Sequence, residues 1–165
     1  MAYYIILFAL TTLLAWVYKG NTKVSKFLFF FFCLCLGLFV GLADMLGGYD
    51  RYIYSEVFQS MQENVMKGNL LSEEFITYFG KEPIFGLIND VIAYFTPNRY
   101  IFILAYTLLL YMVYAFNFYR YMENPFFALL VFEGLMFFFT FTYLRQVLAA
   151  GVIWLAIPYV AQRNF

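Results

Sequence analysis

The chain has 165 residues, of which 65% are hydrophobic, 25% aromatic and only 12% charged, and its mean hydropathy is +0.77. Soluble domains are about 45–50% apolar and about 25% charged, so this composition excludes a water-soluble domain, as well as disordered and collagen-like chains. The net charge is zero and the basic residues are scattered, which argues against a nucleic-acid partner. The chain contains no histidine, which excludes His-dependent triads and imidazole metal sites. We therefore expect an integral membrane protein.

Five stretches are apolar and long enough to be transmembrane helices, which need about 20 residues and no fewer than about 17. They cover residues 2–18, 27–47, 100–119, 125–141 and 144–162. The first stretch is interpreted as an uncleaved span, because no basic residues precede its apolar segment. The predicted fold is all-α: a single polytopic transmembrane domain over residues 1–165.

The charges between the spans predict the orientation of the chain. The first connection contains Lys19, Lys23 and Lys26 and no acid, so the positive-inside rule places it in the cytoplasm. Alternation then places the N-terminus and the segment 48–99 outside. From Asp44 to Arg99 there are eight acidic and four basic residues, which suits an external segment. The prediction is a multi-pass protein of the cytoplasmic (inner) membrane.

The external segment 48–99 is long for a connection between spans, which suggests that it carries a function. Apolar residues at helical spacing predict an amphipathic helix at the membrane surface: Ile53, Val57, Met61 and Val65. A second helix is predicted from Pro83 to about Thr96, where Pro97 ends it. This helix is too short to span, so it is interfacial or re-entrant. The alternative is that both helices merely cap the bundle.

Two motifs flank these external helices. Gly47-Gly48-Tyr49-Asp50-Arg51 follows the second span, and its paired glycines allow a tight turn that places Asp50 at the outer mouth. Lys81-Glu82-Pro83 places a carboxylate at a helix start, where the helix dipole favours it. An ordinary loop and simple helix capping are the alternatives for these two motifs.

A third motif, residues 142–146, opens the last predicted span, with Thr142 as its expected N-cap. Arg145 lies in the first turn, where it opposes the helix dipole and the positive-inside trend, so an anion should compensate it. A guanidinium group binds phosphate or carboxylate through two parallel hydrogen bonds. The alternative is a salt bridge to Glu133 or Asp50, and we expect the mid-span Glu133 to pair with an arginine.

Cys33 and Cys35 lie two residues apart on a predicted helix and do not face each other, so they are interpreted as small hydrophobic residues. The sequence shows no phosphate-binding glycine loop, no metal-ligand cluster and no Ser or Cys nucleophile motif. We expect neither a metal nor a cofactor.

Together, these motifs resemble the EpsG family of Wzy-like polysaccharide polymerases. The resemblance covers essentially the whole chain and rests on the order and spacing of three groups of residues. These are Gly47-Gly48-Tyr49-Asp50 with Tyr54 and Phe58, then Glu82-Pro83 with Phe85 and Asn89, then Leu144-Arg145-Gln146 with Ala149. The family pattern often has an arginine near position 43, where this chain has Ala43.

The resemblance implies a role in the synthesis of capsule, exopolysaccharide or O-antigen. Family members join oligosaccharide repeat units linked to a polyprenyl diphosphate, on the outer face of the cytoplasmic membrane. Family members are about twice as long as this chain, so the chain is expected to be an N-terminal half. The expected partners are the lipid-linked oligosaccharide, the bilayer and other polysaccharide-assembly membrane proteins.

The roles expected for single residues follow from this resemblance and from their chemistry. Arg145 would hold the diphosphate, and Asp50 or Glu82 would act as general base. Substrate-binding residues would be Gly48, Tyr49, Arg51, Tyr54 and Gln146. The alternatives are a flippase-like or transporter-like protein for polysaccharide precursors, a glycosyltransferase that uses a polyprenyl-phosphate sugar, and an inactive fragment that only packs with other membrane proteins.

Overall fold

The computed structural model describes residues 2–18, 20, 22–43, 49–67 and 83–162, and within these ranges the chain forms helices and no strand. The eight helices of this part are α1 (Ala2–Val17), α2 (Lys23–Leu42), α3 (Tyr49–Met66), α4 (Pro83–Phe95), α5 (Arg99–Tyr121), α6 (Pro125–Met136), α7 (Phe139–Thr142) and α8 (Leu144–Gln162). The prediction of an all-helical fold is confirmed. By length and composition, α2 and α5 could cross a membrane, whereas α1, α4, α6 and α8 contain shorter apolar segments. The number of five spans stays a prediction.

Helix α5 is the centre of the bundle, because α2, α3, α4, α6 and α8 all pack against it. The contact with α2 is the most extensive, and two glycines of α2 allow a close approach. A Cβ atom at Gly41 would lie 2.5 Å from the Thr107 hydroxyl oxygen and 3.1 Å from the Leu104 Cα atom. Small residues allow two membrane helices to approach closely in this way, and Gly37 precedes Gly41 by one turn on the same face.

Helix α1 packs against α6, and the contact includes Glu133, the carboxyl group predicted to lie in the middle of a span. Glu133 is 1% exposed, and its Oε1 atom accepts a hydrogen bond of 3.0 Å from the hydroxyl group of Thr11. The other oxygen, Oε2, has no hydrogen-bond partner in the described part of the chain, so the prediction of an arginine partner for Glu133 is wrong for these residues. A short hydroxyl side chain on α1 reaches the carboxyl group because α1 lies directly against this face of α6.

The predicted span 125–141 is not one continuous helix. Helix α6 begins as expected, with Pro125 in its first turn and the side chain of Asn124 accepting a hydrogen bond from the backbone N–H of Phe127. It ends at Met136, and the next hydrogen bonds connect residues three apart. The carbonyl oxygen of Phe137 accepts from the hydroxyl group of Thr140 at 2.6 Å and from the backbone N–H of the same residue at 3.1 Å. This side-chain hydrogen bond stabilises the tighter turn after α6.

The expected N-cap of the last helix is also corrected by this break. Thr142 is the last residue of α7, whereas α8 begins at Leu144. The carbonyl oxygen of Tyr143 accepts from the backbone N–H of Val147, so Tyr143 occupies the position before the helix. The last turn of α7 thus displaces the start of α8 by one residue.

The two helices predicted within the segment 48–99 are present, and they pack against each other and against α5. Helix α3 buries Val57, Met61 and Val65 as its periodicity predicts, although Ile53 of the same pattern is 39% exposed. Helix α4 ends at Phe95, just before Pro97, as predicted. Because both helices cover the N-terminal half of α5, residues of α3 and α4 come close to the start of α8.

Candidate functional site

The side chain of Phe85 on α4 connects three segments that are distant in sequence. Its ring centroid lies 5.9 Å from that of Tyr54 on α3 and 5.3 Å from that of Tyr106 on α5. The guanidinium carbon of Arg145, on α8, lies 5.6 Å from the same ring centroid, which is the geometry of a cation–π contact. The structure therefore brings together Tyr54 and Arg145, two of the residues that the sequence assigned to the site.

A cavity of about 480 Å³ opens beside this cluster, between α4 and α8. Arg145 and Gln146 provide polar groups at its wall, and Phe85 and Tyr106 line it from the bundle side. The remaining lining is aliphatic and comes from Ile84, Ile88, Leu148, Ala149, Val152 and Ile153. Ligand sites in proteins have this size and this combination of apolar walls with a few polar groups.

Arg145 is placed where an anion would be attracted. It lies half-buried in the first turn of α8, and the free N–H groups of a helix start favour negative charge. Gln146 is exposed next to it and adds an amide group to the same cavity wall. Glu133 does not compensate Arg145 as expected, because Glu133 Oε1 accepts from Thr11 and Glu133 Oε2 has no hydrogen-bond partner among the described residues.

Arg51, a predicted substrate-binding residue, is fully buried and contacts the end of α2. Its guanidinium group donates hydrogen bonds of 2.6 Å to the carbonyl oxygens of Val40 and Ala43. These carbonyl groups belong to a helix end, where the backbone lacks helical partners. The guanidinium carbon also lies 5.9 Å from the ring centroid of Phe141. Contact of Arg51 with substrate stays a prediction.

The remaining predicted site residues belong, in sequence, to the segments at the starts of α3 and α4. Asp50 lies half-buried in the first turn of α3, and Tyr49 begins that helix. Gly48 and Glu82 lie outside the described residues. The assignment of Asp50 or Glu82 as general base therefore rests on the sequence.

Two buried polar residues of α4 were not assigned a role from the sequence. Asn89 is 2% exposed and lies one helical turn after Phe85, and Asp90 is 3% exposed. A carboxylate is rarely buried to this extent without a specific reason. The sequence could have indicated the burial of Asn89, because Phe85 and Asn89 are four residues apart and therefore lie on one face of α4.

In the part of the chain that the structure describes, the fold is all-helical, and two of its helices, α2 and α5, are long and apolar enough to cross a membrane. The sequence model of the EpsG family matches residues 26–165, which is most of the chain. The chain therefore belongs to the EpsG family, a family of membrane proteins of polysaccharide biosynthesis. Neither a curated protein nor a solved structure is significantly similar to it.

Proposed function

We propose that this protein acts as a polysaccharide polymerase that joins oligosaccharide repeat units linked to a polyprenyl diphosphate. The reaction takes place at the outer face of the cytoplasmic membrane and supplies capsule, exopolysaccharide or O-antigen. The observation that carries the proposal is the cavity between α4 and α8, where Arg145 and Gln146 adjoin an aliphatic wall. A lipid-linked diphosphate has the same two parts, an anionic group next to a branched hydrocarbon chain.

The anionic part of such a donor fits Arg145. A guanidinium group offers two parallel N–H donors, which match the oxygens of a phosphate. The Phe85 ring, at 5.6 Å, supports the cation from one side. The first isoprene units of the carrier would then lie against Ile84 and Ile88 on α4 and Val152 on α8.

The proposed reaction is the transfer of a glycosyl group to an acceptor hydroxyl. The hydroxyl oxygen forms a bond to the anomeric carbon, and the bond between this carbon and the diphosphate oxygen breaks. The bonding electrons leave with the diphosphate, whose growing charge Arg145 neutralises. The carboxylate of Asp50 or Glu82 takes the hydroxyl proton, while Gln146 and Tyr54 orient the sugar.

The test uses purified protein in proteoliposomes with a repeat unit linked to a polyprenyl diphosphate, with polymer length read from gels. Arg145→Ala should lower the rate about 100- to 1,000-fold, the usual effect of losing one charge-stabilising group. Arg145→Lys should restore only part of this loss, because an ammonium group lacks the paired donors. Arg99→Ala is the matched control, since Arg99 also lies in the first turn of a helix, 5.1 Å from the Tyr100 ring. Normal polymer length from Arg145→Ala would contradict the proposal.

One observation favours a second candidate, a transporter for polysaccharide precursors. Carboxyl groups inside membrane helices often mark transport pathways, and Glu133 is buried between α1 and α6. In sealed vesicles, a transporter should lose precursor translocation in Glu133→Gln. A polymerase should keep its activity in this variant, because a glutamine still accepts the hydrogen bond from Thr11.

A further inference from the structure

A second cavity, of about 720 Å³, lies between α5, α6 and α8 and has no part in the proposed reaction. Tyr121 lines it, whereas Tyr106 of the first site lies fifteen residues earlier on the same helix, about 22 Å along its axis. We name this cavity the Trp154 groove. Trp154, Phe118 and Phe132 form its inner wall, and Phe127, Val131 and Leu135 its outer edge.

The outer edge of the Trp154 groove is an apolar stripe open to the surroundings. Phe127, Val131 and Leu135 are four residues apart on α6, and each is between 46% and 70% exposed. The stripe and the wall behind it extend over about 12 Å of helix, from Phe127 to Leu135. In a membrane protein, such a groove fits a hydrocarbon chain.

One end of the Trp154 groove, at the turn between α5 and α6, is polar. Glu123 is exposed there, and the hydroxyl group of Tyr121 is buried and makes no hydrogen bond with any residue that the structure describes. Asn124 is already occupied, since its side chain donates to the carbonyl oxygen of Ala15 and caps α6. This end of the groove thus has a hydroxyl group buried in its wall, unpaired among the described residues, and an exposed carboxylate two residues further along the chain.

A cation adjoins this polar end. Arg120 lies 5.3 Å from the ring centroid of Tyr121 and 5.7 Å from that of Tyr159, and donates to the Tyr159 hydroxyl group at 3.4 Å. Arg120 and the Tyr121 hydroxyl suit a phosphate, whereas Glu123 suits an ammonium group. This combination matches a zwitterion and repels a headgroup that carries only negative charge.

We propose that the Trp154 groove binds one phospholipid with a phosphoethanolamine headgroup. Its phosphate accepts from the hydroxyl group of Tyr121 and from Arg120, and its ammonium group pairs with the Glu123 carboxylate. One acyl chain lies along α6 against Trp154. This site is independent of the polymerase proposal, because it shares no residue with the cavity at Arg145.

The tryptophans of the chain permit a direct test. Trp16 and Trp154 are the two tryptophans, so Trp16→Phe leaves Trp154 as the only one. The variant is placed in vesicles of phosphatidylcholine that contain a small fraction of brominated phosphatidylethanolamine or brominated phosphatidylglycerol. Bromine quenches tryptophan fluorescence on contact. We expect stronger quenching by the phosphatidylethanolamine at equal mole fraction.

Substitutions at the polar end should change this lipid preference. Glu123→Gln should reduce the preference for phosphatidylethanolamine about two- to five-fold, the size expected for an exposed ion pair. Tyr121→Phe should weaken quenching by both lipids while keeping the shape of the groove. Glu56→Gln is the matched control, since it removes one exposed acid from α3 and should change nothing.

Two results would overturn the proposal. Equal quenching by both lipids, or a preference that Glu123→Gln leaves unchanged, would show that the headgroup is not recognised. Shielding of Trp154 from both lipids in a protein that purifies as a dimer would show that a second copy covers the groove. Arg145→Ala should leave the quenching unchanged, so the result does not depend on whether the polymerase proposal holds.

Discussion

At the scale of single residues, Phe85 determines where the cation of Arg145 lies. Its ring contacts the guanidinium group on one side and is held by the rings of Tyr54 and Tyr106. A cation–π contact of this kind stabilises the position of a guanidinium group. We therefore expect Phe85 to act as a positioning residue for the proposed diphosphate site.

We predict that Phe85→Leu weakens donor binding without stopping the reaction. Loss of a cation–π contact of about 0.5–2 kcal/mol should raise KM for the lipid-linked donor about two- to thirty-fold, with a smaller change in kcat. Phe85→Tyr should restore KM, because the ring is kept. Steady-state kinetics in proteoliposomes measures both constants.

The control is Phe102→Leu, which removes a buried ring that stacks on Phe58 at 4.4 Å. It should lower stability and leave KM near the wild-type value. An unchanged KM in Phe85→Leu would contradict the positioning role.

A second prediction at this scale concerns Arg51. Because its side chain is fully buried, we expect its substitution to change the stability of the protein and not the binding of substrate. Arg51→Met keeps much of the side-chain volume but leaves the carbonyl oxygens of Val40 and Ala43 without their donors. We expect a loss of about 2–4 kcal/mol in the free energy of unfolding, because both hydrogen bonds involve a charged, buried donor. Denaturation in mixed micelles measures this loss. Unchanged stability together with a raised KM would instead support substrate contact by Arg51.

At the scale of elements, the contact between α2 and α5 depends on the absence of a side chain at Gly41. We predict that Gly41→Ala lowers the free energy of unfolding by about 1–3 kcal/mol, because the added methyl group would overlap Thr107 and approach the α5 backbone. The shift of the unfolding midpoint in mixed micelles measures this effect.

Gly134→Ala is the matched control, since a Cβ atom at Gly134 would meet nothing closer than the Phe8 ring at 3.8 Å. It should be neutral or slightly stabilising, because alanine favours helix over glycine. Equal effects of the two substitutions would contradict a close contact between α2 and α5.

The ends of helices were predictable from the sequence where a nearby residue determines them. Pro97 stops α4 and Pro125 begins α6, because proline restricts the residue before it and suits a first helical turn. The break after Met136 was not predictable from hydropathy, since the surrounding residues are uniformly apolar. It depends on the hydroxyl group of Thr140, which binds the Phe137 carbonyl oxygen and also contacts Tyr111 on α5 at 3.2 Å.

At the scale of the whole molecule, the predicted orientation places the two cavities on opposite sides of the membrane. We predict that Gln146→Cys, in a background with Cys33→Ala and Cys35→Ala, reacts with a membrane-impermeant thiol reagent added to intact cells. Glu123→Cys should react only after permeabilisation, because the positive-inside rule places the turn between α5 and α6 in the cytoplasm. Labelling of both cysteines from outside would contradict the orientation.

The sequence alone determined the class of this protein. Its apolar excess, its helical periodicity and its motifs indicated a helical membrane protein of the EpsG family, because these properties depend on composition and on spacing along the chain. The sequence also indicated Arg145 as a candidate anion-binding residue. An arginine in the first turn of a helix opposes the helix dipole and favours a nearby anion, whatever the tertiary packing of that helix.

Only the tertiary structure decided which motif residues meet. Tyr54, Phe85, Tyr106 and Arg145 belong to four helices, and the packing of α3 and α4 on α5 brings them into contact. The tertiary structure also shows that Arg51 donates hydrogen bonds to carbonyl groups at the end of α2. Glu133 accepts a hydrogen bond from the hydroxyl group of Thr11 and not from an arginine. Such contacts depend on how helices far apart in sequence pack together, and spacing along one chain segment carries no information about that.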